Sequence, residues 1–289
     1  MKRTALFLMA VAIALISCPC QAKKLFKDNT TGVVTYKCNG YFKGKTIDVY
    51  YHIPEGDVKN MPVQVVMHGM GRNGDGYRDA WIKSANKYKF IVITPNFSQE
   101  QFDDEFYQRG NVIDANGNIN PTKQMTYALI DQVFDFFVKH SSSKAKTYNL
   151  YGHSAGGQFV HRFLMFYDTP KIDRAIAANP GWYSFPDESI PYPYGIGKSG
   201  VDLKAFYAKN LTILLGDADT LRTSNLQQTP EADLQGLNRY QRGNNFFEYC
   251  RKDAEAKGYE FNWQKAYVKG VGHSNKKMGP KAAAYIYGK

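Results

Sequence analysis

The 289-residue chain predicts an α/β fold, a mostly parallel central sheet of about eight strands with helices on both faces. Three observations carry that expectation. Short β-branched runs alternate along the chain with longer segments of helical periodicity. Several of the short runs, VQVVMHG (63–69) among them, are apolar without alternation, as strands buried on both faces are. Hydrophobic residues make up 43% and aromatics 15% of the chain, ample for one large core. No repeat, low-complexity tract or linker divides residues 23–289, so they read as a single domain.

The elements follow in order. GVVTYKC (32–38) and TIDVYYHIP (46–54) form an opening antiparallel pair around a turn at 39–45. VQVVMHG (63–69) is a buried central strand, AWIKSANKYK (80–89) an amphipathic helix, and FIVITPN (90–96) the next buried strand, closed by Pro95. MTYALIDQVFDFFVKH (125–140) places apolar residues at helical spacing. KTYNLYG (146–152) is a strand and SAGGQFVHRFLMFY (154–167) a helix. RAIAANPG (174–181), LTILLGD (211–217) and FNWQKAYVKG (261–270) are later strands. Residues 238–258 form a long helix ending at Gly258, and PKAAAYIYG (280–288) the last helix, opening on its proline.

Two stretches break the alternation. In NVIDANGNIN (111–120), Asp114, Asn116, Asn118 and Asn120 alternate as in a calcium loop. Ile119 stands where that loop needs glycine, and Met125 where it needs glutamate, so Asn116-Gly117 is read as a hairpin turn. Residues 181–200 are an irregular excursion rich in aromatics, proline and glycine.

Residues 1–22 read as a leader. Met1-Lys2-Arg3 is basic, residues 4–17 are an apolar run too short to span a bilayer, and small residues suit cleavage after Ala22. Leu15-Ile16-Ser17-Cys18 competes as a lipobox, which would lipidate Cys18 and make a membrane the partner. Export as a soluble or a lipid-anchored protein is thus expected. Removing the leader takes Lys2 and Arg3 and no acid, so the net charge of +11 becomes +9. The basic residues are scattered and form no nucleic-acid motif. Cys38 and Cys250 remain after export, and pairing or two buried thiols are both open.

Gly152-His153-Ser154-Ala155-Gly156 matches G-x-S-x-G between a strand and a helix. Small flanks let such a turn lift a serine Oγ above the sheet, and the helix N-terminus favours negative charge beside it. A serine nucleophile needs a base downstream. His161 falls inside the following helix and cannot fold back, so His273, in the glycine-punctuated loop after the last strand, is the candidate. The acid should follow LTILLGD. Asp219 is favoured, with Asp217 expected to hold the turn through the backbone. The oxyanion hole is expected from the N–H groups of Ala155 and Met70, with Gly71 as substitute, and His68 is expected to lock that loop. No metal-binding spacing involves His68 or His153, and neither metal nor cofactor is expected.

HGMG (68–71), GHSAGG (152–157), GDAD (216–219) and GVGHS (270–274) fall in the order and spacing of the α/β-hydrolase superfamily, which the chain resembles over nearly all of residues 23–289. It looks most like secreted esterases grouped with polyhydroxyalkanoate depolymerases and feruloyl or acetylxylan esterases. The resemblance implies hydrolysis of carboxylic esters, small or polysaccharide-linked, through an acyl-enzyme formed on Ser154. A serine peptidase and a non-catalytic carbohydrate-binding homologue are the rival readings. Trp182 and Tyr183 open the aromatic excursion at the expected catalytic edge and are candidate pocket walls.

Overall fold

The computed structural model describes residues 23–197 and 199–288; the leader, Cys18 and the Ala22 cleavage point lie outside the described residues. β1 (Thr31–Lys37) and β2 (Thr46–His52) pair antiparallel, with Lys37 opposite Thr46. After them come β3 (Val63–Met67), α1 (Gly74–Tyr88), β4 (Ile91–Asn96), α2 (Ala128–Lys139), β5 (Tyr148–His153), α3 (Ala155–Phe166) and β6 (Ile172–Ala178). The rest are α4 (Leu203–Tyr207), β7 (Leu211–Gly216), α5 (Pro230–Leu234), α6 (Arg239–Lys257), β8 (Gln264–Val268) and α7 (Asn275–Tyr287).

The strands form one sheet in the order β1-β2-β4-β3-β5-β6-β7-β8. The pairs β1–β2 and β2–β4 are antiparallel and the others parallel. Each parallel neighbour needs a crossover, which the helices supply, so both faces are covered. β3, β5 and β7 are buried at every residue, as their unbroken apolar runs require. Successive side chains enter opposite layers. Val65, Leu150 and Ile213 pack with α2, α3 and α6, whereas Val66, Tyr151 and Leu214 meet Trp81 of α1 and Met278 of α7.

The structure corrects several boundaries. α1 begins at Gly74, ahead of the expected start at residue 80, and its buried stripe Tyr77, Trp81, Ala85 includes that extra turn. Pro95 does not close β4 but lies inside it, opposite Val49. α7 starts at Asn275 and carries Pro280 within it. Proline there removes one hydrogen bond of the helix. Burial of Met278, Ala282, Ala283 and Ile286 holds the helix on the sheet in spite of it. The unexpected α4 and α5 are short turns capped by Asp202 and Thr229. The Asn116-Gly117 turn is present. Gly117 has φ +80, Ile113 bridges Ile119, and Asp114 Oδ1 accepts the backbone N–H groups of Asn116 and Asn118.

Cys38 and Cys250 are both free and buried. Cys38 follows β1, and Cys250 lies on α6, which packs against β7. Those strands are six places apart in the sheet, so about 25 Å or more separates them at ~4.8 Å per strand. A disulfide needs Cα atoms within about 7 Å, and this pair cannot form one within a chain.

Candidate active site

The carboxyl ends of β3, β5, β7 and β8 meet on one edge of the sheet, where open α/β folds place their ligands. At the end of β5 the chain reverses into α3 within one residue. Ser154 sits there at φ +59, ψ −118, a region non-glycine residues seldom occupy. Its N–H donates to Ala178 O at 3.0 Å, anchoring the turn to β6. The flanking glycines are forced by space. A Cβ on Gly152 would lie 2.1 Å from Gly156 O, and one on Gly156 would lie 2.4 Å from Met67 O. The motif is therefore the sequence of a backbone that touches itself and β3.

The structure brings Ser154, His273 and Asp219 together. His273 Nε2 is 2.9 Å from Ser154 Oγ, and His273 Nδ1 is 2.8 Å from Asp219 Oδ2. Asp219 is 3% exposed, and its N–H donates to Gly216 O at the end of β7. Asp217 does something else: its Oδ1 accepts the Gly270 N–H at 2.6 Å, tying β7 to the turn after β8. A hydroxyl in line with an imidazole and a buried carboxylate can pass its proton to Nε2 while the carboxylate stabilises the imidazolium.

Neighbouring groups fix these three. His68 is fully buried. Its Nδ1–H donates to Gly69 O at 2.9 Å, and Nε2 accepts the Phe97 N–H at 3.0 Å. Burial pushes its pKa down to about 3, so the ring stays neutral. Tyr107 stacks on it at 4.4 Å and donates to His68 O, which locks the loop carrying Met70. Met70 is half exposed at the cleft, and Ala155, fully buried, is the first residue of α3, where helix N–H groups lack helical partners. His161 lies two turns along α3. Its Nδ1–H donates to Gly157 O and its Nε2 accepts the Ser184 N–H, and burial also keeps it neutral.

Three side chains at the site carry no clear mark in the sequence. His153 is neutral through burial, with the charges of His273 and Arg239 acting the same way. Its ring lies 4.6 Å from that of His273, and its Nδ1 contacts Tyr77 Oη at 3.1 Å. Arg162 of α3 is wholly buried under Trp182, its guanidinium carbon 4.1 Å from the ring centroid. Arg239, 1% exposed, opens α6 beside Asp219. A solitary arginine in a helical stretch carries no signal of burial, so only the fold could reveal the last two.

Ser154 opens on a cleft of about 170 Å³ whose walls include Met70, Gln158, Trp182, Asn225, Gln227 and Arg239. Cavities of about 540 and 580 Å³ lie elsewhere, against Phe206 and Tyr192, and hold none of the three aligned residues. The chemistry therefore selects the smaller space. Trp182 lines it. Tyr183 does not. It is fully buried and stacked on Phe246 at 4.3 Å, because the bend at 181–182 turns it into the α3–α6 layer. Among the described residues no three His, Cys, Asp or Glu side chains cluster as a metal site.

No family model and no curated protein matches the chain. Solved structures do. Poly(aspartic acid) hydrolase-1 from Sphingomonas sp. KT-1 is 39% identical with a TM-score of 0.84, over 91% of this chain and 100% of that one. A poly(3-hydroxybutyrate) depolymerase from Bordetella parapertussis is 32% identical with a TM-score of 0.86, over 90% of each. An S-formylglutathione hydrolase from Agrobacterium tumefaciens, 13% identical over 89% of this chain and 92% of that one, has a TM-score of 0.54 and shares the fold alone. With a mixed eight-stranded sheet, a serine at the strand-to-helix turn and two relatives matched along nearly their whole length, the chain belongs to the α/β-hydrolases of esterase and depolymerase type.

Proposed function

We propose that the chain is an exported serine hydrolase that cleaves carboxylic esters along a polymer backbone through an acyl-enzyme. The observation that carries the reading is the unbroken hydrogen-bond line from Ser154 Oγ through His273 to buried Asp219. In this reading His273 takes the Ser154 proton as Oγ attacks the ester carbonyl. The N–H groups of Ala155 and Met70 receive the oxyanion. Asp219 holds the His273 tautomer and balances its charge. Protonated His273 then gives its proton to the leaving alcohol, and water repeats the sequence to free the acid.

Two polymer hydrolases among the relatives, and a cleft edged by Trp182, Gln158 and Gln227, support a chain-like substrate over a compact one. Esterified polysaccharides stay within the reading, since an aromatic wall also suits sugar rings. Amide cleavage is the second reading, because the 39% identical relative is named for poly(aspartic acid), an amide polymer. Export rests on the leader-like residues 1–22.

The test is a substrate panel of p-nitrophenyl acyl esters, poly(3-hydroxybutyrate), poly(aspartic acid) and acetylated or feruloylated oligosaccharides, with Ser154→Ala beside the native protein. Loss of the nucleophile should cost on the order of 10⁶ in kcat. More than a few per cent residual activity would remove Ser154 from the role. Absence of fluorophosphonate labelling would instead mark a non-catalytic binding protein.

A further inference from the structure

We infer that Arg239 is a positioning residue for Asp219, holding the carboxylate in the orientation His273 needs; this rests on the proposed roles of Ser154, His273 and Asp219. Arg239 Nη1 lies 3.7 Å from Asp219 Oδ1, and both side chains are almost wholly buried, at 1% and 3% exposed. The carboxylate thus has one oxygen facing Arg239 and the other on His273 Nδ1. At 3.7 Å the Arg239 contact is an ion pair longer than a hydrogen bond, and it favours the carboxylate orientation in which Oδ1 faces the cation and Oδ2 faces His273.

Both terminal nitrogens of the guanidinium also reach the segment at 223–225, while Nε is buried without a hydrogen-bond partner among the described residues. Nη1 donates to Thr223 Oγ1 at 3.3 Å, and Nη2 donates to Asn225 Oδ1 at 3.0 Å and Asn225 O at 3.2 Å. The next residue of α6 reinforces the contact, since the Tyr240 N–H donates to Asp219 O at 3.2 Å. One side chain therefore joins the start of α6, the segment carrying Asp219 and the wall that includes Asn225.

Charge supports the same role. The groups facing this cluster include Arg239 from α6, His273 from the loop after β8, Tyr183 from the excursion and His153 from the end of β5, with Arg242 of α6 nearby and paired to Asp233. Tyr183 and His153 are both held neutral by burial. Arg239 is thus the only permanent cation within 4 Å of the carboxylate among the described residues. It offsets the desolvation of Asp219 at every stage of the reaction, whereas His273 is cationic only in part of the cycle.

The experiment is a double-mutant cycle on p-nitrophenyl acetate hydrolysis with Arg239→Gln, Asp219→Asn and the pair, together with Arg239→Lys and Ser154→Ala. Folding is checked by circular dichroism and melting. Arg239→Gln should lower kcat by about 10- to 100-fold with KM within about twofold, in line with the coupling seen between contacting residues. Arg239→Lys should recover part of that loss. In the Asp219→Asn background, Arg239→Gln should cost almost nothing further, because its partner is gone. Additive losses, or a rise in KM at native kcat, would overturn the proposal in favour of a purely structural or a substrate-binding arginine. If Arg239→Gln does not fold, the cycle is run with Arg239→Lys and read the same way. Activity surviving in Ser154→Ala would defeat the site itself. A dead Ser154→Ala beside a native-like, folded Arg239→Gln would defeat this inference alone.

Discussion

Acid should unfold this protein through its histidines before it reaches the carboxylates. His68, His153 and His161 are buried, and burial holds all three neutral in the folded state. In the unfolded chain each would titrate near 6.5. The folded protein therefore binds fewer protons below that pH. The stabilisation is complete above about 6.5 and is lost as the pH falls towards the folded values, for His68 over the span from 6.5 to about 3. A histidine held neutral through that window contributes about 1.4 kcal/mol per pH unit, and all three act in the same direction. His68 taken alone across its full span is worth about 5 kcal/mol, an order-of-magnitude figure. Against a typical total of roughly 5–15 kcal/mol, that loss is decisive. Carboxylates act in the same direction, but later. Asp114 is held low by Asn118, Asp187 by Ser189, Asp233 by Arg222 and Glu248 by Lys265. Their contributions fade only below about pH 4.5. Urea midpoints measured at pH 7.5, 6.0, 5.5 and 5.0 give the protons taken up on unfolding. The expected number between pH 6 and 5 is more than one, because His153 and His161 add to His68. His161→Gln should lower it by about one. An uptake below one proton in that interval would refute the claim that these rings are buried and neutral.

Asp219→Asn should lower kcat by roughly 10⁴, as loss of an orienting carboxylate does elsewhere, while Asp217→Asn should mainly lower the melting temperature, since its partner is the Gly270 N–H; the reverse ranking in a p-nitrophenyl ester assay would reassign the acid. Trp182→Ala should raise KM for a polymer substrate several-fold more than for a small acetyl ester, the expected size for an aromatic contact worth about 1 kcal/mol, and should also lower the melting point because the ring covers Arg162. Equal effects on both substrates would show a packing role only. Gly156→Ala should abolish both soluble expression and activity, because its Cβ would meet two β3-end carbonyls at 2.4 and 2.7 Å; a folded, active variant would contradict so close an approach of the Ser154 turn to β3. Thiol titration of the unfolded, unreduced protein lacking residues 1–22 should find two free thiols per chain, and fewer than two would reveal a bond between chains.

The sequence by itself determined the fold class and most of the site's chemistry, because both are encoded locally. Unbroken apolar runs such as VQVVM and LTILLG must be strands covered on two faces. Glycines packed around Ser154 mark a turn that no other residues can make. Helical spacing alone sets His161 aside, and distance from the strand end separates Asp217 from Asp219. α5 is not among the expected elements, although Thr229-Pro230-Glu231 has the local chemistry of a capped helix start. Tertiary structure decided everything that depends on which distant segments meet. The placement of Cys38 and Cys250 towards opposite sides of the sheet follows from strand order, which the linear sequence does not show. Trp182 and Tyr183 are adjacent in sequence and lie in different environments, a difference set by the bend of the chain at 181–182. Pro280 has the local chemistry of a helix start and lies inside a helix, because packing of α7 on Trp81 outweighs a missing hydrogen bond. The burial of Arg239 against Asp219 needed the start of α6 to be folded onto the end of β7, and long-range juxtaposition of that kind leaves no trace in local composition.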